Sequence, residues 1–370
     1  MKEELRIKEI CDKGSSNLKQ KDVEGKTGQY PVYGASGLIS HIDTYHQENN
    51  YIAIVKDGSG IGRVTFMPAK SSVIGTMQYI LPKNGFNINY IGYCLQSLDL
   101  SKYKQGAAIP HIYFRDYGER IVKVTEDLTE QQSIVSYLDA AFAKIDAMKA
   151  NAEKALSEAK ALFQASLKEM LEPKEGWEEK KLGEMAEDIR YGTSTPSNEN
   201  GEYKYLRMNN ITNDGFLDIS HYKTISLQEK ELEKCMVKKG DIIFNRTNSR
   251  DLVGKSCVFT EEENMVIAGY LIRIRLKNDF EPQFVTYNMN LQRSLGLFQH
   301  LIVGAVHQAN ISAKNIQTVH VSYPPFTEQQ TIVATLDSLK SKVDRLQANY
   351  EKISQECDAL KQAILRQVFE

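Results

Sequence analysis

The sequence predicts an α+β protein in which two globular α/β domains are joined by two long helices that pair as an antiparallel coiled coil. Three observations support this fold class. Residues 129–172 recur as residues 327–370, 198 positions later, with 21 of 44 positions identical and no gap. Both copies carry apolar side chains at helical spacing. Each copy follows a longer stretch of short apolar runs and glycine turns that is typical of strands. The chain is therefore an internal duplication with a pseudo-twofold relation between its halves.

The domain boundaries follow from this repeat. We expect two globular domains and two long helices, in the order globular domain 1–127, helix 128–172, globular domain 173–326 and helix 327–370. Each repeat opens with Thr-Glu-Gln-Gln, so Thr129 and Thr327 are the predicted N-caps of capping boxes, with glutamine three residues later. Pro173 and Gly176 follow the first copy and end its helix.

The apolar residues of the helices follow a heptad pattern with alternating steps of four and three residues. The second copy is bulky along this seam, whereas the first copy carries several alanines there. Small and large seams suit each other, because small side chains let a partner helix come close. The predicted helix–helix seam includes Leu138, Ile145, Met148, Leu162, Leu336, Val343, Leu346 and Leu360. Two unrelated surface helices are the alternative, but a helix of 44 residues is about 66 Å long and has no obvious place on a compact domain.

Shorter elements are predicted in both globular domains. In the first domain, residues 51–55 and 63–66 are expected to be strands that flank a glycine-rich loop, residues 89–98 a short helix and residues 120–124 a last strand. In the second domain, a strand is expected near 205–211, a strand leading into a polar loop at 239–249, and a strand or strand pair at 265–276.

Composition limits the function classes. The 46 basic and 48 acidic residues exclude a polybasic tail, so any nucleic-acid surface must be a local patch. There is no apolar run long enough to cross a membrane and no signal peptide at the start of the sequence, so we expect a cytoplasmic protein without a membrane partner. The five cysteines form no CxxC pair, which favours reduced thiols.

No pattern of catalytic residues is evident. The glycines at 58, 60 and 62 match GxGxG, but a strand-like segment follows them, which favours a hairpin loop over a cofactor site. Tyr323-Pro-Pro-Phe326 is similar to a motif that grips a flipped adenine, yet tyrosine cannot supply the required carboxylate or amide acceptor, so we interpret it as the start of a helix. The seven histidines lack metal-ligand spacing. We expect a non-catalytic chain with no metal and no cofactor of its own.

Polar loops supply the candidate DNA-binding residues. Direct readout uses arginine for guanine and asparagine or glutamine for adenine. In the first domain the candidates are Tyr33, Ser36, Lys56, Asp57, Ser59 and Arg63. In the second domain they are Arg207, Asn209, Asn210, Asn245, Arg246, Thr247, Asn248, Ser249, Arg250, His307 and Gln308. The alternative for each is a polar turn in contact with solvent.

The layout of globular domain, Thr-Glu-Gln-Gln helix, globular domain and second such helix resembles the specificity subunit of type I restriction–modification enzymes. The stretches Pro-Val-Tyr-Gly-Ala-Ser-Gly at 31–37, Asp-Gly-Ser-Gly at 57–60, Lys-Gly-Asp-Ile-Ile-Phe at 239–244 and the run from Gly304 into Phe-Thr-Glu-Gln-Gln at 326–330 look like recurring motifs of that family. The likeness covers essentially the whole chain.

The resemblance implies two target-recognition domains, each reading one half of a split, asymmetric site in double-stranded DNA, with the helix pair setting the spacer. It also implies two methyltransferase subunits, which use S-adenosylmethionine to methylate adenine, and two restriction (translocase–endonuclease) subunits. Two alternatives stay open: a non-catalytic anti-restriction decoy that captures methyltransferase subunits, and a coiled-coil adaptor whose globular domains bind protein.

Overall fold

A computed structural model describes residues 2–106, 110–305 and 308–370. The chain forms two compact units. The first contains Met1–Lys154 and Ala348–Glu370, and the second contains Ala155–Gln347. Each unit therefore combines a globular domain with parts of both long helices.

The elements of the first half are, in chain order, β1 (Glu3–Arg6), α1 (Ile7–Ile10), β2 (Cys11–Ser15), α2 (Gln20–Val23), β3 (Tyr30–Gly34), β4 (Gly37–Ile42), β5 (Tyr51–Val55), β6 (Val64–Met67), β7 (Ser72–Val73), β8 (Met77–Pro82), α3 (Ile88–Ser97), α4 (Phe114–Tyr117), β9 (Ile121–Val124) and the long helix α5 (Leu128–Met170). The predicted helix at 89–98 and the last strand before α5 are confirmed to within one residue.

The elements of the second half are β10 (Glu178–Lys181), α6 (Leu182–Met185), β11 (Ala186–Tyr191), β12 (Tyr203–Leu206), β13 (Lys223–Ile225), α7 (Glu229–Cys235), β14 (Met236–Val237), β15 (Ile242–Asn245), β16 (Thr247–Asn248), β17 (Ser256–Val258), β18 (Met265–Ile267), β19 (Leu271–Leu276), α8 (Pro282–Ser294), β20 (Val303–Ala305), β21 (Gln308–Asn310), α9 (Ala313–Ile316), β22 (His320–Tyr323) and α10 (Phe326–Phe369). The predicted strand pair at 265–276 is confirmed as β18 and β19, which belong to different sheets.

Both globular domains use one sheet plan. The first contains a sheet of order β2-β8-β5-β6 and a second of order β4-β3-β7. The second contains β11-β19-β15-β17 and β13-β12-β18-β14, which match strand for strand with one extra edge strand. A parallel pair joins the equivalent strands in each case, with Val32 opposite Ser72 and Tyr205 opposite Val266. The duplication therefore includes the globular domains, although their sequences have diverged.

Buried apolar side chains hold each domain together. Every residue of β5 and of its counterpart β15 is buried, as expected for inner strands covered on both faces. The hairpin of β5 and β6, with Ile54 opposite Val64, confirms that the glycine-rich segment is a hairpin loop. The cysteines at 11, 94, 235, 257 and 357 are all free and buried.

The two long helices run antiparallel within each unit. In the first unit, Lys361 Nζ donates to Asp146 Oδ1 at 2.5 Å, and Lys149 Nζ donates to Asp358 Oδ1 at 3.5 Å. In the second unit, Lys160 Nζ donates to Gln347 Oε1 at 2.8 Å. Residue numbers that rise on one helix fall on the other, so the predicted antiparallel coiled coil is confirmed.

The register of the seam on α5 differs from the prediction. Leu138, Ile145, Leu336 and Val343 are buried and Leu346 is half-buried, but Met148 and Leu162 are each 59% exposed and Leu360 is 47% exposed. The inward-facing residues of α5 step by four and three through Val135, Leu138, Phe142, Ile145, Lys149, Ala152, Leu156, Ala159 and Phe163. Half of the seam positions predicted for α5 were thus one residue too early in the sequence. The prediction that α5 carries mainly small side chains in the seam is also wrong, since Phe142, Leu156 and Phe163 lie there.

The helix starts also differ from the prediction. Asp127 caps α5, because its Oδ1 accepts from the backbone N–H of Thr129 at 2.8 Å and of Glu130 at 3.4 Å. In α10, the backbone N–H groups of Glu328 and Gln329 donate to the carbonyl oxygen of Pro325. Thr129 and Thr327 lie inside the first turn, so the predicted capping boxes are wrong. Aspartate reaches the free N–H groups of a first turn as well as threonine does.

The first glutamine of each Thr-Glu-Gln-Gln segment joins helix to globular domain. Gln131 donates to the carbonyl oxygens of Thr125 and Gly85, at 2.9 and 3.0 Å, and accepts from the N–H of Asn87 at 2.6 Å. Asn87 is the N-cap of α3.

Gln329 makes the same connection in the second unit. It donates to the carbonyl oxygens of Pro324 and Asp279, at 2.9 and 3.5 Å, and accepts from the N–H of Glu281, the N-cap of α8, at 2.9 Å. Gln131 and Gln329 are at most 1% exposed. Each glutamine therefore ties the start of a long helix to the start of a helix in its globular domain.

Candidate nucleic-acid interface

Two turns of the first domain meet at its candidate surface. The guanidinium of Arg63, at the end of the loop between β5 and β6, donates to the carbonyl oxygen of Ala35 in the turn between β3 and β4. Ser36, Ser59 and Arg63 are exposed there, and Tyr33 is half-buried. The loop needs its glycines at 58, 60 and 62, because all three have φ near +80°. The structure thus brings together candidates that are distant in sequence.

Asp57 has a partner within the domain. Its Oδ1 lies 2.6 Å from His111 Nδ1, and its Oδ2 lies 3.9 Å from Lys56 Nζ. The His111 ring stacks on Tyr113, and the Arg115 guanidinium lies over the same tyrosine ring at 4.6 Å. These three residues were missed as candidates, although residues 106–114 stand opposite residues 304–312 in the repeat. A polar and aromatic group therefore extends the surface beyond the glycine loop.

Three predicted amides of the second domain are engaged internally. Asn210 is buried, and its Nδ2 donates to the carbonyl oxygens of Asp218 and His221, both at 2.7 Å. Asn245 is fully buried, and its Nδ2 lies 3.4 Å from the carbonyl oxygen of Leu252. Both amides are therefore buried and hold neighbouring backbone in this structure.

Asn248 is half-buried and also contacts its own domain. Its Oδ1 accepts from the N–H of Ser249 at 2.8 Å, and its Nδ2 lies 3.3 Å from Met208 Sδ. This contact brings the predicted polar loop next to the segment that contains Arg207 and Asn209.

The arginines of the same surface are arranged differently. The Arg246 guanidinium lies 4.8 Å above the Tyr191 ring, and its Nη1 donates to the carbonyl oxygen of Gly269 at 3.3 Å. Arg250 is exposed and donates to Gln299 Oε1 at 3.2 Å. Arg207 is half-buried, and its Nε is buried without a hydrogen-bond partner among the described residues.

The remaining candidates border these arginines. Asn209 and Gln308 are exposed, while Thr247 and Ser249 are half-buried. Thr247 lies opposite Asn310 in the pairing of β16 with β21. His307 lies outside the described residues.

A groove of about 820 Å³ adjoins Tyr191. Its lining includes Arg190, Lys230, Lys234, Asp188 and Glu231. The hydroxyls of Thr193 and Thr195 donate to Glu231, and these bonds hold the pKa of its carboxyl below the usual range. The groove carries charges of both signs, so it is less suited to a phosphate chain than a purely basic one.

None of the helices that the structure describes is long and apolar enough to cross a membrane. Within the same residues, no three histidine, cysteine, aspartate or glutamate side chains gather as a metal site.

Comparisons with known proteins follow the duplicated layout. Residues 2–157 and 174–355 match a family described as the type I restriction modification DNA specificity domain. The chain is 27% identical over 258 residues to the type I restriction enzyme EcoKI specificity subunit of Escherichia coli K12, covering 65% of this chain and 55% of that protein. It is 26% identical over 309 residues to the StySPI specificity subunit of Salmonella potsdam, covering 78% and 66%. The matches thus span about half to two thirds of these relatives.

Two solved structures share the fold. The HsdS subunit from Thermoanaerobacter tengcongensis matches with a TM-score of 0.55 and 17% identity, over 98% of this chain and 95% of that one. A chain from a study of complex assembly and conformational transition of the type I R-M system matches with a TM-score of 0.72 and 19% identity, over 98% and 96%.

Proposed function

We propose, because the chain belongs to the type I restriction modification DNA specificity family, that it selects the DNA site for a type I restriction–modification enzyme. The observation that carries this proposal is the repeated sheet plan with unlike polar loops. The strands that the two domains share have the same order in both. The loop after β5 presents Asp57 and Arg63, whereas the loop after β15 presents Arg246 and Arg250. Two domains with the same sheet plan but different loop surfaces are suited to bind two different target sequences.

Each domain then reads one half of a split site in double-stranded DNA. Contacts to phosphates set the register of the domain, and contacts to base edges set its choice of sequence. Because the two surfaces differ, the two half-sites differ and the whole site is asymmetric. The antiparallel helices set the length of the spacer between the halves.

The chain itself performs no chemistry in this proposal. Its similarity to chains named specificity subunits supports a complex with two methyltransferase subunits, which bind S-adenosylmethionine and methylate one flipped adenine in each half-site. The duplicated helices present equivalent surfaces to two identical partners. Two translocase–endonuclease subunits would join for cleavage, and the complex would act in the cytoplasm.

Long-read sequencing of methylated bases tests the proposal. The chain and its partner methyltransferase are expressed together in a cell that lacks other adenine methylation. We expect one split, asymmetric motif that carries methyladenine on both strands and disappears when this chain is omitted. A co-purifying complex without any motif would favour the decoy. Failure both to co-purify and to bind DNA would favour the adaptor.

A further inference from the structure

Three of the five asparagine and glutamine candidates of the second domain are buried or engaged within the domain. The amides of Asn210 and Asn245 are buried, and that of Asn248 contacts Ser249 and Met208. Asparagine reads adenine by offering both its oxygen and its nitrogen to the base edge. Asn210 uses both its oxygen and its nitrogen within the domain. Asn245 Nδ2 donates to the carbonyl oxygen of Leu252, and its buried Oδ1 has no partner among the described residues. Asn209 and Gln308 remain exposed, and Arg207 and Arg246 add two guanidiniums to the same surface.

Two contacts within the domain hold Arg246. Its guanidinium lies over the Tyr191 ring, Nη1 donates to the carbonyl oxygen of Gly269, and Nε is buried. The Tyr191 hydroxyl is itself fixed, since it accepts from the backbone N–H of Ala313 at 2.8 Å. A guanidinium stacked on a fixed ring loses little freedom when it binds, and a planar fork suits two parallel hydrogen bonds. Among the described residues, no carboxylate pairs with it.

Arg207 is half-buried, and no described residue replaces the solvent that its guanidinium has lost. Its backbone N–H donates to Asn210 Oδ1 at 2.8 Å, but no described residue gives its guanidinium a hydrogen bond or an ion pair. Removing a charged group from water costs free energy unless a partner replaces the lost solvent. A positive group left in this state is suited to an acceptor that arrives with a ligand.

Both arginines converge on one turn. Arg207 follows β12, where the carbonyl oxygen of Leu206 accepts from the N–H of Ala268 at 3.0 Å. Arg246 follows β15 and reaches Gly269 in the same turn between β18 and β19. Burial raises the pKa of the Tyr270 phenol in this turn, and the charge of Arg207 partly offsets that rise. Two arginines without an ion-pair partner among the described residues therefore lie near residues 268–270.

We infer that Arg207 and Arg246 read guanine in the half-site bound by the second domain. Guanine presents two acceptors, N7 and O6, to the major groove, and arginine is their usual partner. A phosphate is the competing acceptor on DNA. For Arg246, stacking on Tyr191 and the bond to Gly269 favour the base, because they fix the orientation of the guanidinium plane. A fixed orientation matters more for two hydrogen bonds to a base edge than for contact with a phosphate. This inference rests on the proposed function and names the base that one domain selects.

Methylation motifs of single variants test the inference. Arg207→Gln and Arg246→Gln are each expressed with the methyltransferase subunits, and the methylated motif is read by long-read sequencing. We expect each variant to relax or change one guanine position in the same half-site, while the other half-site and the spacer stay as in the wild type. Lys239→Gln is the matched control. It removes one exposed positive charge that pairs with Glu262, so the motif should not change.

Three outcomes would overturn the inference. The wild-type half-site that responds could contain no guanine, the variants could leave the motif unchanged, or they could weaken methylation at all sites alike, which indicates phosphate contacts. If the wild-type chain directs no split motif at all, the proposed function fails instead, and this result is distinct from the other three.

A base analogue keeps the test independent of variant folding. In the wild-type complex, 7-deazaguanine replaces guanine at one position of a duplex that carries the methylated site, which removes the N7 acceptor. We expect binding to weaken by about tenfold or more at a position read by these arginines. Unchanged binding at every guanine of the half-site would refute the inference.

Discussion

At the residue scale, Gln131 and Gln329 connect the globular domains to the long helices. Each engages two backbone carbonyl oxygens and one N–H group in a buried environment. Because buried backbone groups cannot turn to water, loss of the glutamine leaves all three unsatisfied. We therefore assign the first glutamine of each Thr-Glu-Gln-Gln segment a structural role.

Neighbouring glutamines in α10 allow a matched test of this role. Gln329→Leu should lower the free energy of unfolding by on the order of 3 kcal/mol, since several buried groups lose their partner. Gln330→Leu changes an exposed side chain and should shift it by less than about 0.5 kcal/mol. Urea unfolding followed by circular dichroism measures both. Equal losses of unfolding free energy in the two variants would show that the buried hydrogen bonds of Gln329 are not the cause of the loss.

Asp188 predicts a pH dependence in the second unit. Burial would raise the pKa of its carboxyl, but bonds from Arg190 and Arg273 outweigh this effect and hold the pKa below its usual range. The Arg273 side chain is only 4% exposed. Asp188→Asn leaves that charge without a counter-charge, so we expect a loss of about 3 kcal/mol of unfolding free energy near neutral pH.

The sign of the pH dependence follows from the lowered pKa. Asp188 contributes its full stabilisation above the ordinary aspartate pKa of about 3.9. As the pH falls from that value through the lower folded pKa, the unfolded state binds the proton more readily, and the contribution disappears. The gap between wild type and Asp188→Asn should therefore be constant above about pH 4 and shrink only below it. Urea midpoints from pH 3 to 8 measure the gap, with exposed Asp214→Asn as control. A gap that closes between pH 6 and 8 would contradict this account.

At the element scale, the long helices show which features a heptad pattern reveals. Length, direction and pairing followed from the repeat, because a 44-residue amphipathic helix requires a partner of similar length. The register did not follow, since α5 has adjacent apolar residues at Ala141 and Phe142 and at Leu162 and Phe163. Two apolar stripes on the surface of α5, about 100° apart around the helix axis, then fit the heptad pattern equally well.

In α10, two seam positions of the correct register are occupied by lysine, which the sequence pattern marks as polar. Lys340 and Lys361 of α10 stand at the positions equivalent to Phe142 and Phe163. Lys361 Nζ lies 5.3 Å from the ring centroid of Phe142. A lysine stem can cover an apolar ring while its ammonium group reaches water or a carboxylate, here Asp146. A charged residue in the sequence therefore did not mark a solvent-facing position.

Adjacent residues in α5 test the corrected seam. Phe163 is 7% exposed, whereas Leu162 is 59% exposed. Phe163→Ala should lower the free energy of unfolding by about 3–5 kcal/mol, because a large buried side chain leaves a cavity. Leu162→Ala should change it by less than about 1 kcal/mol. Thermal unfolding of the two variants decides between the registers, and a larger loss for Leu162→Ala would restore the original one.

At the scale of the whole molecule, the sequence allowed the layout to be predicted but not the details of its surfaces. The helix repeat and the strand–loop–strand segment around Gly58 were sufficient for the domain plan. The candidate surface of the second domain was harder to predict, because asparagine is equally suited to stabilise a turn and to hydrogen-bond a base edge. Nothing in the sequence around Asn210 or Asn245 distinguishes these uses. Likewise, the absence of a partner for Arg207 becomes visible only when its neighbours are placed.

The role of the helices as a spacer predicts an insertion phenotype. Seven residues added to each of α5 and α10 at equivalent positions keep the heptad seam and lengthen both helices by about 10 Å. If the helices set the separation of the half-sites, the methylated motif should gain about three base pairs of spacer, given a rise of about 3.4 Å per base pair. Both half-sites should stay unchanged. Long-read sequencing measures the spacer, and insertion into one helix alone is the control expected to abolish methylation.

The burial of all five cysteines makes the native thiols reporters of local opening. Cys11 and Cys94 lie in the first domain, Cys235 and Cys257 in the second, and Cys357 in the helix pair. Burial raises the pKa of Cys94 and Cys257 to about 12 and that of Cys235 to about 11, so few thiolates exist at neutral pH in the closed state. Alkylation by a thiol reagent then requires opening of the surrounding structure. Rates resolved by peptide mass spectrometry would give the opening free energy of each domain and of the helix pair without any introduced label.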